Sequence, residues 1–166
     1  MPAVAVRKPT LDIRVRLAGA GDIGALVDLE NEVFATDRLT RRGFQRFLGS
    51  PTAALMVAEQ GGRLAGYALV LFRSNSSIAR LYSVAVLPSL EGKGAGRALM
   101  TAAEETARKQ GSTHLRLEVH EANARAIAHY RKSGYELFGH HLDYYDDHGN
   151  ALRFEKRLVP AQPASR

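Results

Sequence analysis

The sequence predicts one α/β domain, a mixed β-sheet with helices packed on its faces. Three observations predict it. Strand-like and helix-like segments follow one another in the order β-α-α-β-β-β-α-β-α-β-β. The middle of the chain carries a strand, a glycine-rich turn and a long helix in succession. No Pro/Gly/Ser linker, internal repeat or low-complexity stretch divides residues 11–158, which are expected to form a single domain, with 1–10 and 159–166 as flexible tails.

Each element has a local reason. Residues 11–17 alternate in polarity and read as a strand. Asp22 is placed to cap a helix in which Ile23, Leu26, Val27, Glu30, Val33 and Phe34 recur at helical spacing, Glu30 being the polar exception. Thr40 is placed to cap a second, short helix through Phe44, Phe47 and Leu48, ended by Gly49-Ser50-Pro51. Residues 54–59 and 64–72 form two apolar strands, and Gln60-Gly61-Gly62-Arg63 between them is a hairpin signal. A polar loop, 73–77, leads to a strand over 78–86. The glycine-rich segment opens a helix to Gln110 that buries Leu99, Ala103 and Ala107, with Gly111 as C-cap. A strand over 113–119, a helix from Asn123 to Ser133 closed by Gly134, and strands over 136–141 and 151–158 complete the order.

Bulk properties bound the function. Hydrophobic residues make up 45% and charged residues 24% of 166, which suits a globular chain able to bury a core. No apolar run approaches the roughly 20 residues of a membrane span. Residues 1–9 lack a secretory h-region, so a cytoplasmic protein is expected, with no membrane partner. Zero cysteines exclude disulfides, thiolate metal sites and a cysteinyl acyl-enzyme. The formal charge of +6 suits a phosphate-rich ligand, but no nucleic-acid-binding motif accompanies it.

Val84-Ala85-Val86-Leu87-Pro88, followed by Glu91-Gly92-Lys93-Gly94-Ala95-Gly96-Arg97, carries the first chemical signal. Glycines turn backbone N–H groups inward without Cβ obstruction, and a helix N-terminus adds free donors and partial positive charge. Lys93 and Arg97 add full charges, so a pyrophosphate fits the pattern. The P-loop string is absent. The Rossmann fingerprint fails too, because residues 87–91 separate strand from glycine and Arg97 falls at the third glycine position.

The segment resembles the acetyl-coenzyme A signature of the GNAT superfamily of N-acetyltransferases, Arg/Gln-x-x-Gly-x-Gly/Ala. Gly94 and Gly96 match, and Glu91 departs at the first position. The resemblance extends from about Ile13 to Leu158. It implies the GNAT fold and acetyl-CoA as co-substrate, with Val84, Ala85 and Val86 pairing with pantetheine like an added strand. Gly92, Lys93, Gly94, Ala95, Gly96 and Arg97 would take the pyrophosphate, and a main-chain N–H near Val86 the thioester oxygen.

A second match runs from Leu117-Glu118-Val119 through Asn123 and Tyr130 to Gly134-Tyr135. It is most similar to the ribosomal-protein alanine N-acetyltransferases and related protein N-terminal acetyltransferases. That likeness implies Glu118 as base, Asn123 as cofactor ligand and Tyr130 as acid. The residue types suit the chemistry: a carboxylate can take a proton from an α-amine, and a phenol with a reference pKa of about 10 can return one to sulfur. Read alone, Glu118 is also a strand-end charge, Asn123 a helix cap and Tyr130 a core aromatic.

Residues 143–152 resemble the Tyr-Tyr-x-x-Gly loop of many N-terminal acetyltransferases, which implies Tyr144 and Tyr145 at the acceptor groove; a polar hairpin with surface aromatics reads equally well. The histidines and aspartates around it lack ligand spacing, and no metal is expected. The expected reaction is direct transfer of acetyl to a primary amine, on a protein or peptide N-terminus or on a small molecule. A non-catalytic acetyl-CoA-binding regulatory module is the rival of another class. The sequence is compatible with a homodimer.

Overall fold

A computed structural model describes residues 12–159. Its seven strands and four helices follow the predicted order: β1 Ile13–Leu17, α1 Ile23–Val33, α2 Arg41–Leu48, β2 Ala53–Gln60, β3 Arg63–Leu71, β4 Ile78–Val86, α3 Ala95–Lys109, β5 His114–His120, α4 Ala124–Lys132, β6 Glu136–His141 and β7 Ala151–Arg157. The expected strand residue Leu11, the expected tail 1–10 and all of the expected tail 159–166 except Val159 lie outside the described residues.

The strands form one sheet in the order β1-β2-β3-β4-β5-β7-β6. β1 to β4 are antiparallel neighbours, β4 and β5 run parallel, and β7 inserts antiparallel between β5 and β6. A parallel neighbour needs a crossover, and α3 supplies it. The β2–β3 hairpin turns on Gly61 and Gly62, both at positive φ (60° and 74°), as a tight two-residue turn requires.

Period-two alternation gives the sheet two apolar faces. Met56, Ala58, Ala68, Val70, Leu115 and Leu117 pack against Leu99, Met100 and Ala103 of α3 and Tyr130 of α4. Leu55, Val57, Tyr67 and Leu69 pack against Ile23, Leu26 and Leu29 of α1 and Phe44 of α2. β3 and β4 come close at Gly66, where a Cβ would stand 2.5 Å from the Ala85 carbonyl oxygen and 3.0 Å from Leu99 Cδ1.

Several local expectations are corrected. Asp22 does not cap α1 through its side chain. A 3-10 turn over Ala20–Asp22 precedes the helix, and the Asp22 carboxylate accepts from Gly19 N–H (2.7 Å) while clasping Arg16 (2.8 Å). Phe34 leaves α1 with extended dihedrals. Phe72 lies past β3, its N–H donating to Thr52 O, and Leu158 lies past β7, bonded to Thr113 O. The remaining caps are as expected: Thr40 Oγ1 accepts from Gly43 N–H, and Gly111 takes φ 84° after α3.

Candidate active site

The site begins where the parallel ladder stops. β4 and β5 pair only from Ile78↔His114 to Leu81↔Leu117. Beyond that point β4 continues through Val86 against β3, and β5 continues through His120 against β7. The two strands therefore diverge, and among the described residues the β4 edge from Tyr82 to Val86 has no strand partner on its β5 side. Main-chain groups left open in this way are obligatory hydrogen-bonding sites. A bulge sharpens the divergence: Val70 pairs with Leu81 and Leu69 with Ser83, so Tyr82 is the extra residue. It also inverts the phase of the strand. Ala79 and Leu81 face α3 before the bulge, whereas Val84 and Val86 face α3 after it. Ser83 turns to bond Tyr67, and Ala85 packs in the α1–α2 cluster.

The opening is a cleft of about 560 Å³. Because the sheet splits there, side chains from both faces line it: Glu30, Asp37, Arg80, Ser83, Val84, Glu118, Asn123, Tyr130, Tyr144 and Tyr145 among them. Of the residues singled out from sequence, Val84, Glu118, Asn123, Tyr130, Tyr144 and Tyr145 meet here. The glycine-rich residues lie outside this cleft, at the end of β4 and the start of α3.

Gly92 (φ 75°) and Gly94 (φ 100°) take left-handed backbone that other residues adopt only at a cost. Gly94 caps α3, whose first helical bond runs from Ala98 N–H to Gly94 O. The amides of Ala95, Gly96 and Arg97 ahead of it have no partner within the helix, which makes this end a receptor for anions. Nothing lies within 4 Å of a Cβ built on Gly92. Glu91, which takes the place usually held by Arg or Gln, turns to Arg125 of α4, Oε2 accepting from Nη1 at 2.9 Å. Its charge is thus met by a guanidinium, and the residues present fit a pyrophosphate beside an open strand edge.

On β5, Leu115, Leu117 and Val119 are core, so Glu118 projects to the other face. Its side chain is only 9% exposed. Arg80 Nε donates to Oε2 at 3.1 Å, while Arg153 Nε stands 3.7 Å from Oε1, close enough for attraction and too far for a hydrogen bond. Arg80 also donates from Nη2 to the Tyr144 hydroxyl at 2.7 Å, so one guanidinium ties β4, β5 and the loop before β7 together. Tyr145 stacks on His120 at 5.0 Å, and His120 pairs with Asp147 at 2.9 Å. The Asp147 carboxyl is held below its ordinary range, first by Gly149 N–H and then by His120.

Asn123 caps α4, its Oδ1 accepting from Ala126 N–H at 3.1 Å, and reaches the cleft as well. Tyr130 is likewise both core and site. Its ring packs edge-on against Tyr135 at 5.7 Å, and burial pushes its phenol up to about 12, so it keeps its proton at neutral pH. Sequence reasoning missed Arg80, Arg153, Glu30 and Ser83. Glu30 gave a signal, as the polar break in an apolar helix face; the others gave none.

A strand edge opened by a bulge, a glycine turn on a helix N-terminus and a cleft holding a buried acid suit a ligand that joins an extended arm to a pyrophosphate, as the co-substrate of an acyltransferase does. The particular family follows from comparison. Residues 24–135 match the Acetyltransferase (GNAT) family, and the chain belongs to it as an acetyl-CoA-dependent N-acetyltransferase. A streptothricin acetyltransferase of Streptomyces lavendulae is 38% identical over 102 residues, 61% of this chain and 53% of that protein, so the match spans about half its length. The N-alpha-acetyltransferase RimI of Mycobacterium tuberculosis is 32% identical over 127 residues, 75% of this chain and 78% of that one. In structure, the ribosomal-protein-S18-alanine N-acetyltransferase of Escherichia coli superposes with a TM-score of 0.81 over 93% of this chain and 99% of that one; at 23% identity this shows the fold. Among the described residues, no helix is long and apolar enough to cross a membrane, and no group of three or more His, Asp and Glu residues could hold a metal ion.

Proposed function

We propose that the chain acetylates an N-terminal α-amine of a protein or peptide by direct attack in a ternary complex. The observation that carries the reading is the arrival of Glu118 and Tyr130, from opposite faces of the sheet, in one cleft beside the open edge of β4. Glu118 meets the protonated amine and starts its deprotonation, directly or through water. The free amine attacks the thioester carbon, the C–N bond forms and the C–S bond breaks. Tyr130 gives its proton to the departing thiolate. Val84, Ala85 and Val86 bind pantetheine through main-chain groups, and Gly92 to Arg97 bind the pyrophosphate. Asn123 holds the donor from the far wall. Tyr144 and Tyr145 stand over the acceptor side.

An α-amine near pKa 8 is deprotonated more readily than a lysine near 10.4, so a carboxylate and its water suffice for it. The likeness to an N-alpha-acetyltransferase supports the same acceptor. A small-molecule amine is the second reading, favoured by the 38% identity to a streptothricin acetyltransferase. A thiol-release assay with acetyl-CoA tests both, run against N-terminal peptides, N-acetylated lysine peptides, polyamines and streptothricin. The proposal expects the highest kcat/KM with unblocked N-terminal peptides. Faster turnover of streptothricin or a polyamine would move the acceptor to the second reading.

A further inference from the structure

Behind the acceptor wall lies a buried polar chain that neither Glu118 nor Tyr130 uses. Glu30, on α1, is 2% exposed, yet it lines the cleft. Its Oε1 accepts from Leu39 N–H at 3.1 Å, and its Oε2 accepts from the Tyr67 hydroxyl at 2.5 Å. Tyr67, on β3 and fully buried, lies 2.7 Å from Ser83 Oγ. Ser83, the residue turned inward by the β4 bulge, lines the cleft.

The direction of this chain follows from donor counting. A phenol has one proton. With the Glu30 carboxylate taking it, the Tyr67 oxygen can only accept from Ser83. The Ser83 hydroxyl proton is then committed inward, and toward the cleft that Ser83 lines its oxygen can only accept. An N–H in the cleft is the group that completes the row.

We propose that Ser83, Tyr67 and Glu30 form a proton relay that takes the proton released by the acceptor amine, with Glu30 as its terminus. It rests on the amine-acetyltransferase reading and adds the destination of the proton. Three transfers occur together: amine to Ser83 oxygen, Ser83 to Tyr67, and Tyr67 to Glu30. The ammonium loses one proton, the Glu30 carboxylate gains one, and serine and tyrosine end unchanged. Glu118, its Oε2 accepting from Arg80 and its Oε1 facing Arg153 without a hydrogen bond, meets the ammonium and starts the deprotonation, and the relay carries the released proton away to Glu30.

The surroundings suit that division. Burial raises the Glu30 carboxyl above the ordinary carboxylate range, opposed by the hydrogen bonds from Tyr67 and Leu39 and by the Arg38 charge. Burial raises the Tyr67 phenol as well, so it passes protons without becoming phenolate. α2 presents only Phe44, edge-on to Tyr67 at 5.4 Å, and β4 adds the Tyr82 phenol. A carboxyl raised by burial is a stronger proton acceptor than an ordinary carboxylate.

The test is kcat against pH for the wild type, Glu30→Gln, Ser83→Ala and Glu118→Gln. The acceptor is the amine that releases thiol fastest in the screen above. The relay expects the wild-type rate to fall on acidification with a midpoint above the ordinary carboxyl range. It expects Glu30→Gln and Ser83→Ala each to cut kcat about ten-fold or more at neutral pH and to erase that acid limb, with acetyl-CoA affinity held within about two-fold. Glu118→Gln should keep the limb in place. Wild-type kcat in either relay variant overturns the proposal, and so does a loss equal at every pH, which marks a structural role. If Glu30→Gln fails to fold, Ser83→Ala decides, since it breaks the row without touching the buried carboxyl. Absence of thiol release from the wild type with every amine overturns the acceptor reading, and the relay with it. An unchanged Ser83→Ala overturns the relay alone.

Discussion

The proposed donor side, from Val84 to Arg97, is one uninterrupted segment that enters the cleft at Val84 and runs on past its end, with Asn123 and Tyr130 lining the cleft beside it. The proposed acceptor wall draws Glu30 from α1, Arg80 and Ser83 from β4, Glu118 from β5 and Tyr144 from the loop before β7. The difference is one of binding currency. The donor wall offers backbone: an open strand edge, two left-handed glycines and the free amides of a helix start. The acceptor wall offers side chains that hold one another, Arg80 bridging Glu118 and Tyr144, and Tyr67 bridging Glu30 and Ser83. Substitutions in the first should act on donor affinity; those in the second should act on acceptor KM or on turnover.

The largest effect is expected where the walls meet. Tyr130→Phe should lower kcat about 100-fold, the usual scale for losing a general acid, while acetyl-CoA affinity stays within about two-fold. Steady-state kinetics beside calorimetric titration of the cofactor measure both; unchanged kcat would remove Tyr130 from the acid role. Gly66→Ala probes the scaffold under the donor edge. Its methyl would press on the Ala85 carbonyl at 2.5 Å, a backbone atom that cannot step aside. A loss of about 1–3 kcal/mol is expected by chemical denaturation, together with weaker acetyl-CoA binding.

Arg80→Ala should mark the acceptor wall. It frees Glu118 and Tyr144 at once, so acceptor KM should rise about ten-fold, the cost of about one charge-assisted hydrogen bond, with donor affinity unchanged. A change confined to donor KM would break the division between the walls. The smallest effect belongs to Glu91→Gln. The Glu91–Arg125 pair is solvent-exposed, 43% and 77% by side chain, and such pairs add little stability. Removing its negative charge beside the anion site should tighten acetyl-CoA about two-fold, more at low ionic strength, with no measurable change in Tm.

The backbone of the proposed donor side was legible in the sequence because its determinants are local. Glycine at a left-handed position, a helix opening on Ala95 and a polar cap at Asn123 each act on residues a few positions away in the chain, so local spacing carries each of them. The same locality made the element order and the helix caps at Thr40 and Gly111 readable. Glu118 was legible by alternation, since Leu115, Leu117 and Val119 leave it the opposite face. Where locality failed, so did the reading: Asp22 is claimed by Arg16 and Gly19 instead of by the helix it precedes.

Tertiary structure decided the acceptor wall. The extra residue at Tyr82 reverses the phase of β4, and that single step sends Ser83 to Tyr67 and gives Val84 and Val86 the face held earlier by Ala79 and Leu81. Strand alternation predicts the reverse for Ser83, because period two holds only while the register does. The same bulge lets β4 part from β5 after Leu81, and that gap brings a glutamate of one face and a tyrosine of the other to a common cleft. Arg80, Glu30 and Ser83 belong to the site because chain segments distant in sequence pack side by side, a relation that no local spacing encodes.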